Sequence, residues 1–272
     1  MSRLVTRFAT LREQGRTALI PYITAGDPQP LVTVPLMHAL VAAGADVLEL
    51  GVPFSDPMAD GPVIQAACER ALEHHVSLRQ ILDMVSTFRQ QDEQTPVVLM
   101  GYLNPVEVMG YEVFSRAAHE AGVDGVLTVD LPPEEAQDLL VSLKAEGLDP
   151  IFLAAPTSDD ERIRLMSRAG GGFLYYVSFK GVTGANRLDV QSVKDKLTQI
   201  RANTELPVGV GFGISDAESA ARIAEFADAV VVGSALVKRI AALLDSPEQI
   251  PVQAPQVIAE MRVAMDRVVA TS

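Results

Sequence analysis

The hydrophobic and polar positions of this chain alternate on a large scale. Short apolar runs recur, and each is followed by a polar loop and then a segment with apolar residues at helical spacing. The apolar runs predict strands at 18–24, 46–50, 96–100, 124–129, 150–154, 173–178, 207–210 and 228–232. Helices are expected between them at 31–43, 62–73, 77–91, 106–121, 134–146, from 158, and at 190–203. After the seventh strand, Ser215-Asp216-Ala217-Glu218 has the form of a capping box, and helices at 234–244 and 253–269 end the chain. A short amphipathic N-terminal helix is expected to pack on the domain. Most strands are continuous apolar runs rather than alternating ones, as in parallel strands covered on both faces. The turns Gly44-Ala45-Asp46, Gly122-Val123-Asp124 and Gly147-Leu148-Asp149 repeat one grammar, a glycine ending a helix and an aspartate entering a strand. Eight βα units over this length predict a (β/α)8 TIM barrel with extra helices, a single domain over 1–272. The competing open doubly wound sheet lacks its glycine-rich turn after the first strand, where only Gly26 stands.

Composition narrows the partners. With a formal charge of −13, the chain is a poor match for nucleic acid, while a small phosphorylated substrate remains open. A single cysteine, Cys68, rules out an intrachain disulfide and suits a reducing, cytoplasmic setting. No apolar run approaches the roughly 18 residues of a membrane span. His74-His75 has no ligand-spaced companions, so no metal is expected.

In a barrel, function gathers where strands end and βα loops begin. Glu49 lies in the apolar run Val47-Leu48-Glu49-Leu50, and Asp60 follows at the end of a proline-stiffened loop. Each has a plain structural reading: a satisfied core acid for Glu49, a helix N-cap for Asp60. The functional reading pairs them at one mouth, with burial favouring a neutral, proton-shuttling Glu49 and the loop leaving Asp60 ionised. Glycine-bearing loops after the last two strands, Gly211-Phe212-Gly213 and Gly233-Ser234, suit phosphate binding by backbone N–H groups. Residues 178–188 form a polar loop that reads either as a lid or as ordinary surface.

The stretch from Leu48 to Gly61, LELGVPFSDPMADG, closely resembles the signature of the tryptophan synthase alpha subunit, as do Gly181-Val182-Thr183-Gly184 and Gly211-Phe212-Gly213-Ile214-Ser215. The resemblance runs from Tyr22 to Ala235. It implies a lyase of L-tryptophan biosynthesis that cleaves indole-3-glycerol phosphate, by retro-aldol reaction, to indole and glyceraldehyde 3-phosphate. It further implies Glu49 as the acid–base residue, Asp60 as the carboxylate holding the indole N–H, and Tyr175 as a hydroxyl at the reacting centre. Thr183 would belong to a lid closing on Asp60. Gly184, Gly213, Gly233 and Ser234 would bind phosphate, and Tyr22, Ile64, Met100 and Phe212 would line the indole pocket. The family docks on a beta subunit as a heterotetramer; Asp56, Pro57, Asn104, Pro105, Asp130 and Pro132 match that interface. Pyridoxal phosphate belongs to that partner, so no cofactor is expected here. Met100, Tyr22 and Phe179-Lys180 depart from the commonest family residues. A free-standing indole-releasing lyase and a non-catalytic barrel subunit are the alternatives.

Overall fold

A computed structural model describes residues 2–177, 190–211 and 213–269. Thr183, Gly184 and Phe212, and the expected lid with its Phe179-Lys180 departure, lie outside the described residues.

The chain opens with helix α1 (Arg3–Glu13) and strand β1 (Ala18–Thr24). Next come α2 (Pro30–Ala42), β2 (Leu48–Gly51), α3 (Pro62–Glu73), α4 (Leu78–Arg89) and β3 (Val97–Gly101). The middle of the chain holds α5 (Leu103–Met109), α6 (Tyr111–Ala121), β4 (Gly125–Thr128), α7 (Gln137–Ala145), β5 (Asp149–Ile151), β6 (Leu153–Ala154) and α8 (Asp160–Ala169). The last part contains β7 (Leu174–Val177), α9 (Val190–Arg201), β8 (Val208–Gly211), α10 (Ala217–Ala224), β9 (Ala229–Val232), α11 (Ser234–Ala241), α12 (Ile250–Gln253) and α13 (Gln256–Val269).

Sequence-adjacent strands pair in parallel from β1 to β5 and from β6 to β9, and β9 returns to pair with β1. The segments β5 and β6 are separated only by Phe152, whose carbonyl accepts the Tyr175 N–H at 3.0 Å. They therefore act as one strand position, and the sheet closes into a TIM-type barrel of eight positions. Burial follows the strand period of two. Ala18, Ile20, Val47, Val98, Leu127, Ile151, Phe173 and Val231 fill the barrel interior, and Leu4, Phe8 and Leu11 of α1 join that cluster. Phe8 meets Phe173 with ring centroids 5.6 Å apart, so α1 plugs the barrel floor. Leu19, Ile23, Leu48, Leu50 and Leu99 point the other way, into the shell shared with the helices. Both faces of each strand are thus buried, which is why the strands read as continuous apolar runs.

Three expectations change in detail. The helix expected at 106–121 is two helices, α5 and α6, because Gly110 sits at φ +87°, a backbone that breaks helical geometry. The cap of α10 is Asp216, which exchanges hydrogen bonds with Ser219, one register later than the Ser215/Glu218 pair. The final helix is preceded by the separate turn of α12.

The repeated glycine–aspartate turns do specific work. Gly44, Gly122 and Gly147 all have positive φ. Asp46 then accepts the Leu19 N–H at 2.9 Å, and Asp124 accepts the Val97 N–H at 2.9 Å. Asp228 repeats the device on the Val208 N–H, also at 2.9 Å. At the N-terminal end of the barrel, an entering strand is thus pinned to the start of the strand before it. Asp149 differs, accepting from the Ser2 hydroxyl instead. Among the described residues, no helix is long and apolar enough to cross a membrane.

Candidate active site

The opposite end of the barrel carries a cavity of about 110 Å³. Its walls come from five strand ends and three loops. Tyr22 enters from β1, Glu49 from β2, Met100 from β3, Tyr175 from β7 and Val231 from β9. Asp60 and Gly61 stand before α3, Ile64 lies in its first turn, and Gly213, Gly233 and Ser234 close the far side. Nine of the residues singled out in the sequence therefore meet in one place: Tyr22, Glu49, Asp60, Ile64, Met100, Tyr175, Gly213, Gly233 and Ser234.

Glu49 is 1% exposed, and its Oε1 is buried with no hydrogen-bond partner among the described residues. A satisfied core acid would have one, so this oxygen counts against the plain structural reading. Burial, reinforced by the nearby charge of Asp60, pushes its carboxyl up to about 8. The protonated form is therefore favoured at neutral pH.

Asp60 is not the N-cap of α3. That position belongs to Gly61, which makes no side-chain cap bond. Instead the Tyr102 hydroxyl donates to Asp60 Oδ2 at 3.0 Å. Burial raises the Asp60 carboxyl above its ordinary value, and the Tyr102 bond pulls it back. Asp60 is therefore less freely ionised than a loop position suggests. Gln65 fixes the backbone here, donating from Nε2 to the Asp60 carbonyl at 2.8 Å.

Two tyrosines flank Glu49, and each rests against a glycine on the next strand. A Cβ on Gly51 would stand 2.2 Å from the Tyr22 hydroxyl oxygen, and one on Gly211 would stand 2.2 Å from that of Tyr175. Glycine at these sites makes room for the phenols. Burial raises both phenols well above their ordinary range, so both stay protonated. Tyr22 also bonds with the Thr24 hydroxyl at 3.2 Å, which turns its polar end aside and leaves the ring against Ile64 and Met100.

The far wall suits an anion. Gly213 has φ +77°, a conformation available to glycine, and Gly233 caps α11, whose first residue is Ser234. The first backbone N–H groups of a helix have no partner within it, and the helix dipole adds a positive end. Among the described residues no cluster of His, Cys, Asp and Glu could hold a metal ion. Cys68 is buried in α3, and burial pushes its thiol up to about 11, away from the reactive thiolate.

The loops after β2, β3 and β4 form a rim beside this mouth. Asp56, Asn104 and Asp130 are exposed, while Pro57, Pro105 and Pro132 are half-buried. Met58 projects from the same rim, 85% exposed. Asp130 ties two of these loops by accepting the Leu103 N–H at 2.8 Å. The sequence places Tyr102 in a strand-end loop, Tyr102-Leu103-Asn104-Pro105, but gives its side chain no role. Its partner lies 42 residues away in the chain, and no local pattern announces such a contact.

Comparison with known proteins agrees with this geometry. The family model described as tryptophan synthase alpha chain matches residues 8–266. The tryptophan synthase alpha chain of Thioalkalivibrio sulfidiphilus is 67% identical over 98% of this chain and 100% of its own length. That of Methylococcus capsulatus is 62% identical over 98% of this chain and 100% of its own. The crystal structure of tryptophan synthase subunit alpha from Legionella pneumophila superposes with a TM-score of 0.92 at 46% identity, covering 98% of this chain and 99% of that one. A chain of tryptophan synthase from Mycobacterium tuberculosis, in its aminoacrylate-bound form, gives 0.85 at 36% identity, covering 97% and 100%. A barrel with two unlike carboxylates at one mouth, matched along nearly its whole length by these relatives, belongs to the tryptophan synthase alpha chain family.

Proposed function

We propose that Glu49 and Asp60 divide the labour of a retro-aldol cleavage that takes indole-3-glycerol phosphate to indole and glyceraldehyde 3-phosphate. The observation that carries this division is the unpartnered Oε1 of Glu49, buried in the cavity that Asp60 also lines. The reaction needs a proton delivered to indole C3 and a proton removed from the side-chain hydroxyl. A Glu49 held protonated at neutral pH delivers the first. The carboxylate left behind accepts the second as the C–C bond breaks and the aldehyde forms, so Glu49 ends as it began. Protonation at C3 places positive charge on the indole nitrogen, and Asp60 stabilises that charge while accepting the N–H.

The other wall residues bind. Tyr22, Ile64 and Met100 offer an apolar slot for the ring, and the Tyr175 hydroxyl stands by the reacting centre. Gly213, Gly233 and Ser234 hold the phosphate through backbone N–H groups. Thr183, Gly184 and Phe212 complete this assignment by family resemblance. The same proposal takes the chain as one cytoplasmic barrel unit, working as the alpha partner of a beta subunit that carries pyridoxal phosphate. The rim at Asp56, Pro57, Asn104, Pro105, Asp130 and Pro132 is the docking surface in this reading. It is supported by the exposed Met58 and by relatives solved as tryptophan synthase.

The test is indole release from indole-3-glycerol phosphate, with and without a beta subunit. Release that rises on adding the partner is expected. No indole under either condition overturns the assignment, and full activity of the isolated chain favours the free-standing lyase.

A further inference from the structure

Tyr102 stands between the end of β3 and the start of α5, yet its side chain serves the loop after β2. The residue is 4% exposed, and its ring stacks on Phe54 with centroids 5.2 Å apart. Its hydroxyl has two partners. It donates to Asp60 Oδ2 at 3.0 Å and accepts the Ala59 N–H at 3.0 Å. One phenol therefore grips both the carboxylate and the N–H of the residue before it. Tyr102 is absent from the cavity wall, so its influence on a ligand passes through Asp60.

We propose that Tyr102 is a positioning residue, holding the Asp60 carboxylate in place by its Oδ2 so that Oδ1 serves the indole N–H. This rests on the lyase reading given above. The hydroxyl has one proton, and the Ala59 N–H already points at its oxygen. That arrangement sends the proton to Asp60 and suits a charged carboxylate there. Among the described residues, the ionisable groups around Asp60 are Glu49 on β2, Tyr22 on β1, Tyr175 on β7, Cys68 on α3 and Tyr102 itself. None of them supplies a positive charge. Burial favours a neutral Asp60, and the Tyr102 hydrogen bond opposes it. Without the phenol, Asp60 gains a proton at higher pH and turns more freely.

Tyr102→Phe tests this, because it keeps the ring against Phe54 and removes only the oxygen. The Asp60 carboxyl carbon, assigned with D60N, is titrated by NMR in the free protein, and the pH profile of indole release is recorded in parallel. The expected result is an Asp60 midpoint raised by about one pH unit, with the acid limb of kcat/KM moving up by the same amount and the alkaline limb unmoved. At neutral pH, kcat falls about tenfold. Tyr102→Gln restores a donor without the ring, so it returns the midpoint toward that of the parent even if its Tm drops. An unchanged midpoint and acid limb in Y102F overturns the proposal, whatever happens to Tm. If the parent protein releases no indole, the lyase reading falls while the NMR titration still decides the role of Tyr102.

Discussion

Asp46 and Glu49 stand three residues apart on the way into and along β2, and they end in opposite chemical worlds. Both are buried, and burial raises the carboxyl of each. At the N-terminal end of the barrel, Asp46 receives the Leu19 N–H at 2.9 Å, Arg262 at 3.2 Å and Arg16 at 3.3 Å. Asp124 is treated alike, with the Val97 N–H, Arg89 and Arg3 around it. At the other end, Glu49 has no partner for Oε1 among the described residues and shares its cavity with a second acid. One short stretch of chain therefore carries a carboxylate whose needs are met and one whose needs are left open. A buried charge with partners is architecture; one without is a group held ready to exchange a proton.

The contrast is broken most severely by Glu49→Gln. Indole release should fall by ~10²–10⁴-fold while the circular dichroism spectrum and Tm are kept. A variant with near-parental activity removes Glu49 from the chemistry.

The next effect is on stability against pH. Because the folded protein holds the Glu49 proton up to about 8, against an ordinary 4.5, it binds that proton more tightly than the unfolded chain. Stability from this group therefore falls as pH rises through that window, by about 5 kcal/mol at most. Urea titrations at about pH 5 and about pH 9 should show that decline in the parent and its loss in Glu49→Gln.

Asp46→Asn sharpens the other half. It strips the charge that faces the buried Arg262 and should cost roughly 3 kcal/mol, read from chemical denaturation. The folded fraction should keep its kcat and pH profile, since Asp46 is far from the mouth. The smallest effect belongs to the half-exposed pair of Arg201 with Asp228. Arg201→Gln should cost less than about 1 kcal/mol, because solvent screens that pair. A larger loss would show that the strand-entry aspartates depend on their arginines even at the surface.

The strands were legible because two-sided burial writes each as an unbroken apolar run, and all eight positions fall within a few residues of their expected bounds. Helix ends were less legible. Gly110 stops one helix and starts another through its backbone angle alone, and the α10 cap moved one residue because aspartate accepts as well as serine. In the site, Glu49 showed itself as a charge in an apolar run. Asp60 was ambiguous, since an acid before Gly-Pro reads equally as a cap, and only the bond to Tyr102 separates the two. The division of the glycines was hidden too. Gly51 and Gly211 look like turn residues, but their role is to leave space for phenols on neighbouring strands.

The strand-entry clamps also bear on how the chain assembles. The Asp46, Asp124 and Asp228 bonds span only 27, 27 and 20 residues. Each closes within one βα unit, at a small loop-closure cost, as soon as that unit has formed. Nearly every strand pairing is likewise between neighbours in the chain. The exception is the seam where β1 meets β9, with the Ala18 N–H donating to the Asp228 carbonyl at 3.0 Å. That seam joins the two ends of the sheet and must wait for the whole circuit. Folding should therefore begin locally in many places and finish at one, with Thr17 and the buried Arg262, bonded to each other across this region at 3.0 Å, among the last residues to find their partners.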